Sequence, residues 1–146
     1  MKQFLITIVL FLGCTAIFAQ GKTDKEAIID VIDMSYVKAI HNGNNPEAIA
    51  EGFHSGFNLL GVRDGYLTKY PIYTWIESTR RRAEADKKPN GVTTAKYPMI
   101  DITNGVAVAK VELYKNGKQI FTDYLSLYKI NGKWKIVSKV YDRTPQ

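Results

Sequence analysis

His41 and His54 are the only two side chains of the 146-residue chain whose ordinary pKa lies near neutrality. His54 follows Phe53 at the start of an extended stretch. It can accept a proton there, or it can be a strand histidine satisfied by a neighbour. His41 stands beside a helix terminus, a weaker position for chemistry. Asp101 and Asp123 are the acids of the period-two half of the chain, and a register slip of one residue would carry either to the opposite face of a sheet. Phe57, Tyr73, Trp75, Tyr124, Tyr128 and Trp134 provide flat apolar surface for a ligand, and equally suit a core or a dimer face. Arg80–Arg81–Arg82, with Lys87 and Lys88 beyond, offers either an anion site or a solvated helix end.

Other chemistries lack their residues. Two separated histidines give no zinc spacing, and Asp30 and Asp33 have no completing ligand. Glycine-rich phosphate loops, the metalloprotease His-Glu signature and a serine nucleophile elbow are missing from the sequence. The lysines at 129, 133, 135 and 139 are spread over both strand parities, which makes no basic stripe for nucleic acid. No metal, cofactor or nucleic-acid partner is therefore expected.

The first 19 residues read as a secretory leader. Lys2 precedes apolar Phe4–Leu12, and small residues follow at Cys14–Thr15–Ala16 and Ala19. Cleavage after Ala19 is the preferred reading. Cleavage after Ala16, or lipidation of Cys14 behind Leu12–Gly13, are the alternatives. Loss of 1–19 removes the single cysteine, and with it disulfide, thiolate-metal and thiol-nucleophile chemistry. Nineteen basic and 14 acidic side chains then remain, a balance that favours solubility and weak attraction to small anions. The chain is expected to be exported, to the periplasm or outside the cell, with no membrane span.

Residues 22–143 read as one domain. Thr23 or Asp24 caps a first helix whose apolar side runs through Ile28, Val31, Ile32, Ser35, Tyr36 and Ile40. Asn42–Gly43 stops it. Pro46 opens a short helix to Ala50, and Phe53–Leu60 forms a short strand turning at Gly61. A longer helix spans Pro71–Ala85. From Thr93 the period becomes two, with strands at Ala95–Ile102, Val106–Tyr114, Gln119–Ile130 and Lys133–Asp142. Three Asn-Gly pairs between them specify an antiparallel meander, because such turns need the positive φ angles these residues tolerate.

Helices first and a meander last give an α+β layout. The segment Lys25–Tyr141 resembles the family described as "Putative lumazine-binding", within the nuclear transport factor 2-like (NTF2-like) superfamily. Carrying the resemblance are Tyr36, Phe53–His54, Asn104–Val111, Asp123–Leu127 and Asn131–Val137. It implies a cone fold, in which N-terminal helices pack on a strongly curved antiparallel sheet and leave a pocket. Superfamily isomerases use a tyrosine of the first helix to hold an enolate-like oxygen, together with a carboxylate base on the pocket wall. Here the resemblance points to Tyr36 as donor and to His54, Asp101 or Asp123 as proton acceptor. The expected ligand pocket comprises Tyr36, Phe53, His54, Phe57, Trp75 and Tyr124. The function so read is binding of a small, partly aromatic or apolar molecule by an exported homodimer. Cofactor-independent isomerase or hydro-lyase, and protein–protein interaction module, are the alternatives.

Overall fold

A computed structural model describes residues 22–87 and 89–145; the expected leader lies outside them. Helix α1 (Asp24–Ile32) begins with a reciprocal cap. The Thr23 hydroxyl accepts from the Glu26 amide at 3.3 Å, while the Glu26 carboxylate accepts from the Thr23 amide at 2.8 Å. The helix then continues as a π-helical segment, Asp33–Asn42. Its wider turn brings side chains five apart onto one side, a rare geometry frequent at functional sites. Both ends of the segment are tied to the sheet: the Tyr97 hydroxyl donates to Asp33, and the Asn42 amide group makes paired 2.6 Å bonds with the Thr93 backbone.

Helix α2 (Pro46–Gly52) starts with Pro46 behind an Asn45 cap. It ends where Gly52 lies against the π segment. A Cβ at Gly52 would stand 2.0 Å from Ser35 Oγ and 2.3 Å from Ser35 Cβ, so only glycine permits this approach. Strand β1 (Phe53–Arg63) runs on through Gly61 to a hairpin at Asp64–Gly65, followed by β2 (Tyr66–Pro71) and helix α3 (Ile72–Glu84). The sequence pattern shows no strand at β2, because almost every residue there is exposed and nothing alternates. The four last strands, β3 (Thr93–Thr103), β4 (Val106–Lys115), β5 (Lys118–Ile130) and β6 (Lys133–Arg143), form the expected meander. Asn116–Gly117 and Asn131–Gly132 take positive φ at both positions, as does Asp64–Gly65.

The expected strongly curved sheet, closed into a cone, does not form. Six strands lie in the linear order β2-β1-β6-β5-β4-β3, an open sheet whose two edge strands do not meet. Nor is it wholly antiparallel, since β1 runs parallel to β6. Helices pack on one face, and side chains fill the space a cone would enclose. Ile28, Ile32, Tyr36 and Ile49 meet Val111, Leu113, Leu125, Leu127 and Ile136, all buried. Two grooves of about 490 and 440 Å³ lie elsewhere, one beside α1, α2 and Trp134, the other along β1, β2 and β6. The closing hairpin is scaffold: Trp134 Nε1 and Lys129 Nζ both donate to Asp24, at 2.9 and 2.7 Å, and so fasten β5 and β6 to α1.

The Gly52 contact yields a first test. Because no rotamer of Ser35 moves its Cβ, Gly52→Ala is expected to destabilise the fold by about 1–3 kcal/mol, read from urea unfolding midpoints.

Candidate functional site

A cationic and an anionic side chain face each other within the core. Lys139 Nζ donates to Asp123 Oδ1 at 2.7 Å, and the two residues are 4% and 0% exposed. Tyr36, from the π segment, completes a triangle: its hydroxyl donates to Asp123 Oδ2 at 2.7 Å and accepts from Lys139 Nζ. Each corner comes from a different element, the π segment, β5 and β6.

Two departures from regular geometry bring them together. Counting outward from the Asn131–Gly132 turn, with Ile130 opposite Lys133, a regular ladder sets Lys139 opposite Tyr124, on the face away from Asp123. The ladder instead steps from Leu127↔Ile136 to Ser126↔Ser138, leaving Val137 as an extra residue. Lys139 consequently pairs with Leu125, and Tyr141 with Asp123, so both point inward beside the carboxylate. On the helical side, the π turn places His41 five residues beyond Tyr36, with its ring edge-on at 4.8 Å. An α-helix would send those two side chains to different sides.

Aromatic rings enclose the polar triangle. Lys139 Nζ lies 4.6 Å from the ring centre of Tyr36, 5.1 Å from Tyr141, 5.7 Å from Phe121 and 5.8 Å from Trp75. Phe53 and Phe57 extend the cluster, the latter 5.8 Å from Trp75. Phe53 and Phe57 lie four residues apart on β1 and so share its buried face. Phe121, Trp75 and Tyr141 also reach solvent. Gly61 makes room for Tyr141, since a Cβ there would lie 3.3 Å from the tyrosine ring. The cluster is a surface suited to a small apolar or aromatic molecule.

Burial sets the electrostatics. It holds the Lys139 ammonium below the ordinary lysine pKa, although Asp123 opposes the shift. It raises the Tyr36 phenol well above its usual value, reinforced by the Asp123 charge, so Tyr36 is a hydrogen-bond donor that keeps its proton. His41 falls from 6.5 to about 4, first through burial and then through the positive charges of Lys139 and Lys115. Its buried Nε2 has no partner among the described residues.

The structure brings together Tyr36, Asp123, Phe53, Phe57 and Trp75 of the residues expected from sequence. His54 is not among them: it is exposed, and its Nδ1 accepts from the Gly56 amide at 3.0 Å. Asp101 is exposed near the end of β3, and Tyr124 faces outward, on the opposite side of β5 from Asp123. Arg80 and Arg81 pair with Glu77, while Arg82 donates to Asn44 and Thr79, so the basic run is engaged locally. Lys139, Tyr141, Phe121 and His41 join the site without having been assigned to it from sequence. A lysine amid apolar residues of a closing strand was the available signal for the first. Among the described residues, no three histidine, cysteine or acidic side chains assemble as a metal site, and no helix is long and apolar enough to cross a membrane.

An open α+β sheet carrying a buried polar triangle among rings defines the class, and comparison with known proteins gives its family. The profile described as "Putative lumazine-binding" matches residues 23–142, and the chain belongs to that family of the NTF2-like superfamily. An aldolase, FrzH of Cladobotryum sp., is 31% identical over 112 residues, which span 76% of this chain and 85% of that protein. Among solved structures, an NTF2-like protein of unknown function from Shewanella baltica OS155 superposes with a TM-score of 0.68 at 26% identity, covering 86% of this chain and all of its own. Another, from Methylobacillus flagellatus KT, gives 0.65 at 27% identity, covering 84% and 93%.

Two measurements follow from the charge arrangement. Asp123→Asn leaves the Lys139 ammonium without its counter-charge and should cost about 3–5 kcal/mol, whereas the double substitution Asp123→Leu with Lys139→Met should recover most of that loss; urea unfolding of the three proteins compares them. For His41, the unfolded chain binds a proton between pH 6.5 and about 4 that the folded chain does not. Stability should therefore fall as pH drops through that window, by up to about 3 kcal/mol, then level off, and His41→Phe should remove this part of the slope.

Proposed function

We propose that this protein is a cofactor-independent enzyme that takes a small, partly aromatic carbonyl compound and moves a proton at the carbon beside the carbonyl. Aldol-type making or breaking of a carbon–carbon bond is the reaction class. The buried Tyr36–Asp123–Lys139 triangle carries this reading. A binding site needs shape and a few polar groups, whereas this one holds a base, a neutral acid and a cation in mutual contact under apolar walls. The similarity to a protein named as an aldolase supports the same class.

Each group has a role. Asp123 takes the proton from the carbon, and the bonding pair moves to form the enol double bond as the carbonyl pair shifts to oxygen. Tyr36 turns its hydroxyl from Asp123 to that oxygen and stabilises the growing negative charge with a hydrogen bond. Lys139 balances the charge on Asp123 before proton transfer. The enol carbon then attacks a second carbonyl carbon, whose oxygen takes up a proton; cleavage runs the same steps backward. Tyr36 is 1% exposed, so a substrate enters as the half-exposed Tyr141 side chain swings aside.

Two expectations from sequence stay as proposals beside this one. Export rests on residues 1–19. A homodimer is supported by exposed Val106, Val108, Tyr124, Tyr128 and Val140 on the outer sheet face.

Exchange of the methyl hydrogens of acetophenone in heavy water, followed by NMR, tests the chemistry. The wild-type protein should accelerate exchange, and Tyr36→Phe, shown by circular dichroism to be folded, should lose about a hundredfold of the acceleration. Equal rates for the two folded proteins would exclude Tyr36 as the acid. No acceleration by the wild type with this ketone or with a fluorogenic aryl β-hydroxyketone would refute the reading.

A further inference from the structure

In the proposed chemistry Lys139 serves only as a charge, yet its surroundings provide for more. We infer that the Lys139 amine is a nucleophile that condenses with the carbonyl substrate to form a protonated imine. This deepens the proposed function and rests on it, because it requires that the site receive a carbonyl compound.

Lys139 is the one buried lysine among the described residues. Its Nζ is in direct hydrogen-bond contact with the two groups that imine formation requires, Asp123 from β5 and Tyr36 from the π segment. Condensation needs a base to free the nitrogen lone pair and an acid to send the carbonyl oxygen away as water. Asp123 takes one proton from the ammonium. The lone pair then bonds to the carbonyl carbon while the carbonyl pair moves to oxygen, which takes up that proton. A second proton passes from nitrogen to the same oxygen, through the Asp123 carboxylate and the Tyr36 hydroxyl. Water leaves with the carbon–oxygen pair, and the nitrogen pair closes the carbon–nitrogen double bond. Ammonium and carbonyl compound thus give iminium and water, with no oxidant or reductant.

The walls fit the same step. Tyr141, Phe121 and Trp75 stand 5.1–5.8 Å from Nζ and fill the space beside it, so an aryl group on the carbon under attack would take the place vacated by the half-exposed Tyr141 ring. Burial among rings also disfavours the ammonium form, and each unit by which an amine's pKa falls raises its reactive neutral fraction about tenfold. His41, from the π segment, adds no competing charge at neutral pH, where it is uncharged. Once formed, the iminium withdraws electrons from the neighbouring carbon, whose proton lies within reach of Asp123. The Asp123–Lys139 pair would then serve successive steps of one aldol cycle.

Reductive trapping tests the inference on the intact wild-type chain. The protein is treated at neutral pH with limiting benzaldehyde and sodium cyanoborohydride, digested, and mapped by mass spectrometry. Lys139 should gain a benzyl group about tenfold or more faster than exposed Lys69, Lys96 or Lys133. Labelling of Lys139 no faster than those lysines would overturn the proposal. The ketone exchange assay then separates the two claims: Tyr36-dependent exchange without Lys139 labelling leaves acid–base chemistry and removes the imine. Loss of both signals removes both.

Discussion

A lysine and an aspartate placed where water does not reach constrain everything else in this molecule. Removing each ion from water costs several kcal/mol, and the arrangement survives only because the charges meet at 2.7 Å and their remaining hydrogen-bonding capacity is largely met. Tyr36 supplies that completion, bonding both partners across 87 and 103 residues of chain. The π segment, β5 and β6 must therefore hold a common position to within a hydrogen-bond length. The ties at both ends of the π segment, to Tyr97 and to the Thr93 backbone, and the Asp24 link to the closing hairpin, are what fix them there.

Regular secondary structure would not have produced this cluster. An unbroken ladder puts Lys139 on the outer face, where it would be one more solvated lysine. A regular α-helix through Asp33–Asn42 would separate His41 from Tyr36. The bulge at Val137 and the widened helical turn each shift one element by a fraction of its repeat, and both shifts converge on the Tyr36 ring. Such irregularities lose hydrogen bonds or packing locally, which is why they concentrate at sites of function.

The same two features explain what could be read from the sequence. Helix caps, the meander and its Asn-Gly turns depend on neighbouring residues, and α1, α2, α3 and β3–β6 appear close to where the pattern places them. Tyr36 was legible because helical periodicity puts it with the apolar residues of the first helix. Asp123 was legible only together with Tyr124, its neighbour on the opposite face of β5, because a strand apolar on both sides does not mark its inner face. Lys139 was not legible, since parity counted from Asn131–Gly132 sets it with the outward residues until the bulge reverses it. His54 misled because it was grouped with Phe53, its neighbour in a strand, and period-two alternation sets the two on opposite faces. The cone failed because openness is a long-range property. Whether two edge strands meet depends on accumulated twist and on what fills the concavity, and here the filling is Tyr36, Phe53, Phe57 and their neighbours.

A site so tightly filled would ordinarily argue for structure over chemistry. The physical comparison points the other way. Apolar side chains of similar volume commonly hold a core as well as a buried ion pair does, or better, so the pair is poorly explained as a stabiliser. No apolar replacement can accept a proton, donate one or offer an amine. Closure is also what a charged reaction centre demands, because hydrogen bonds and ion pairs act most strongly where water is excluded. Under the proposed chemistry such a centre also needs a door, and Tyr141 is the side chain placed for it: one edge of its environment is solvent, the other is Lys139.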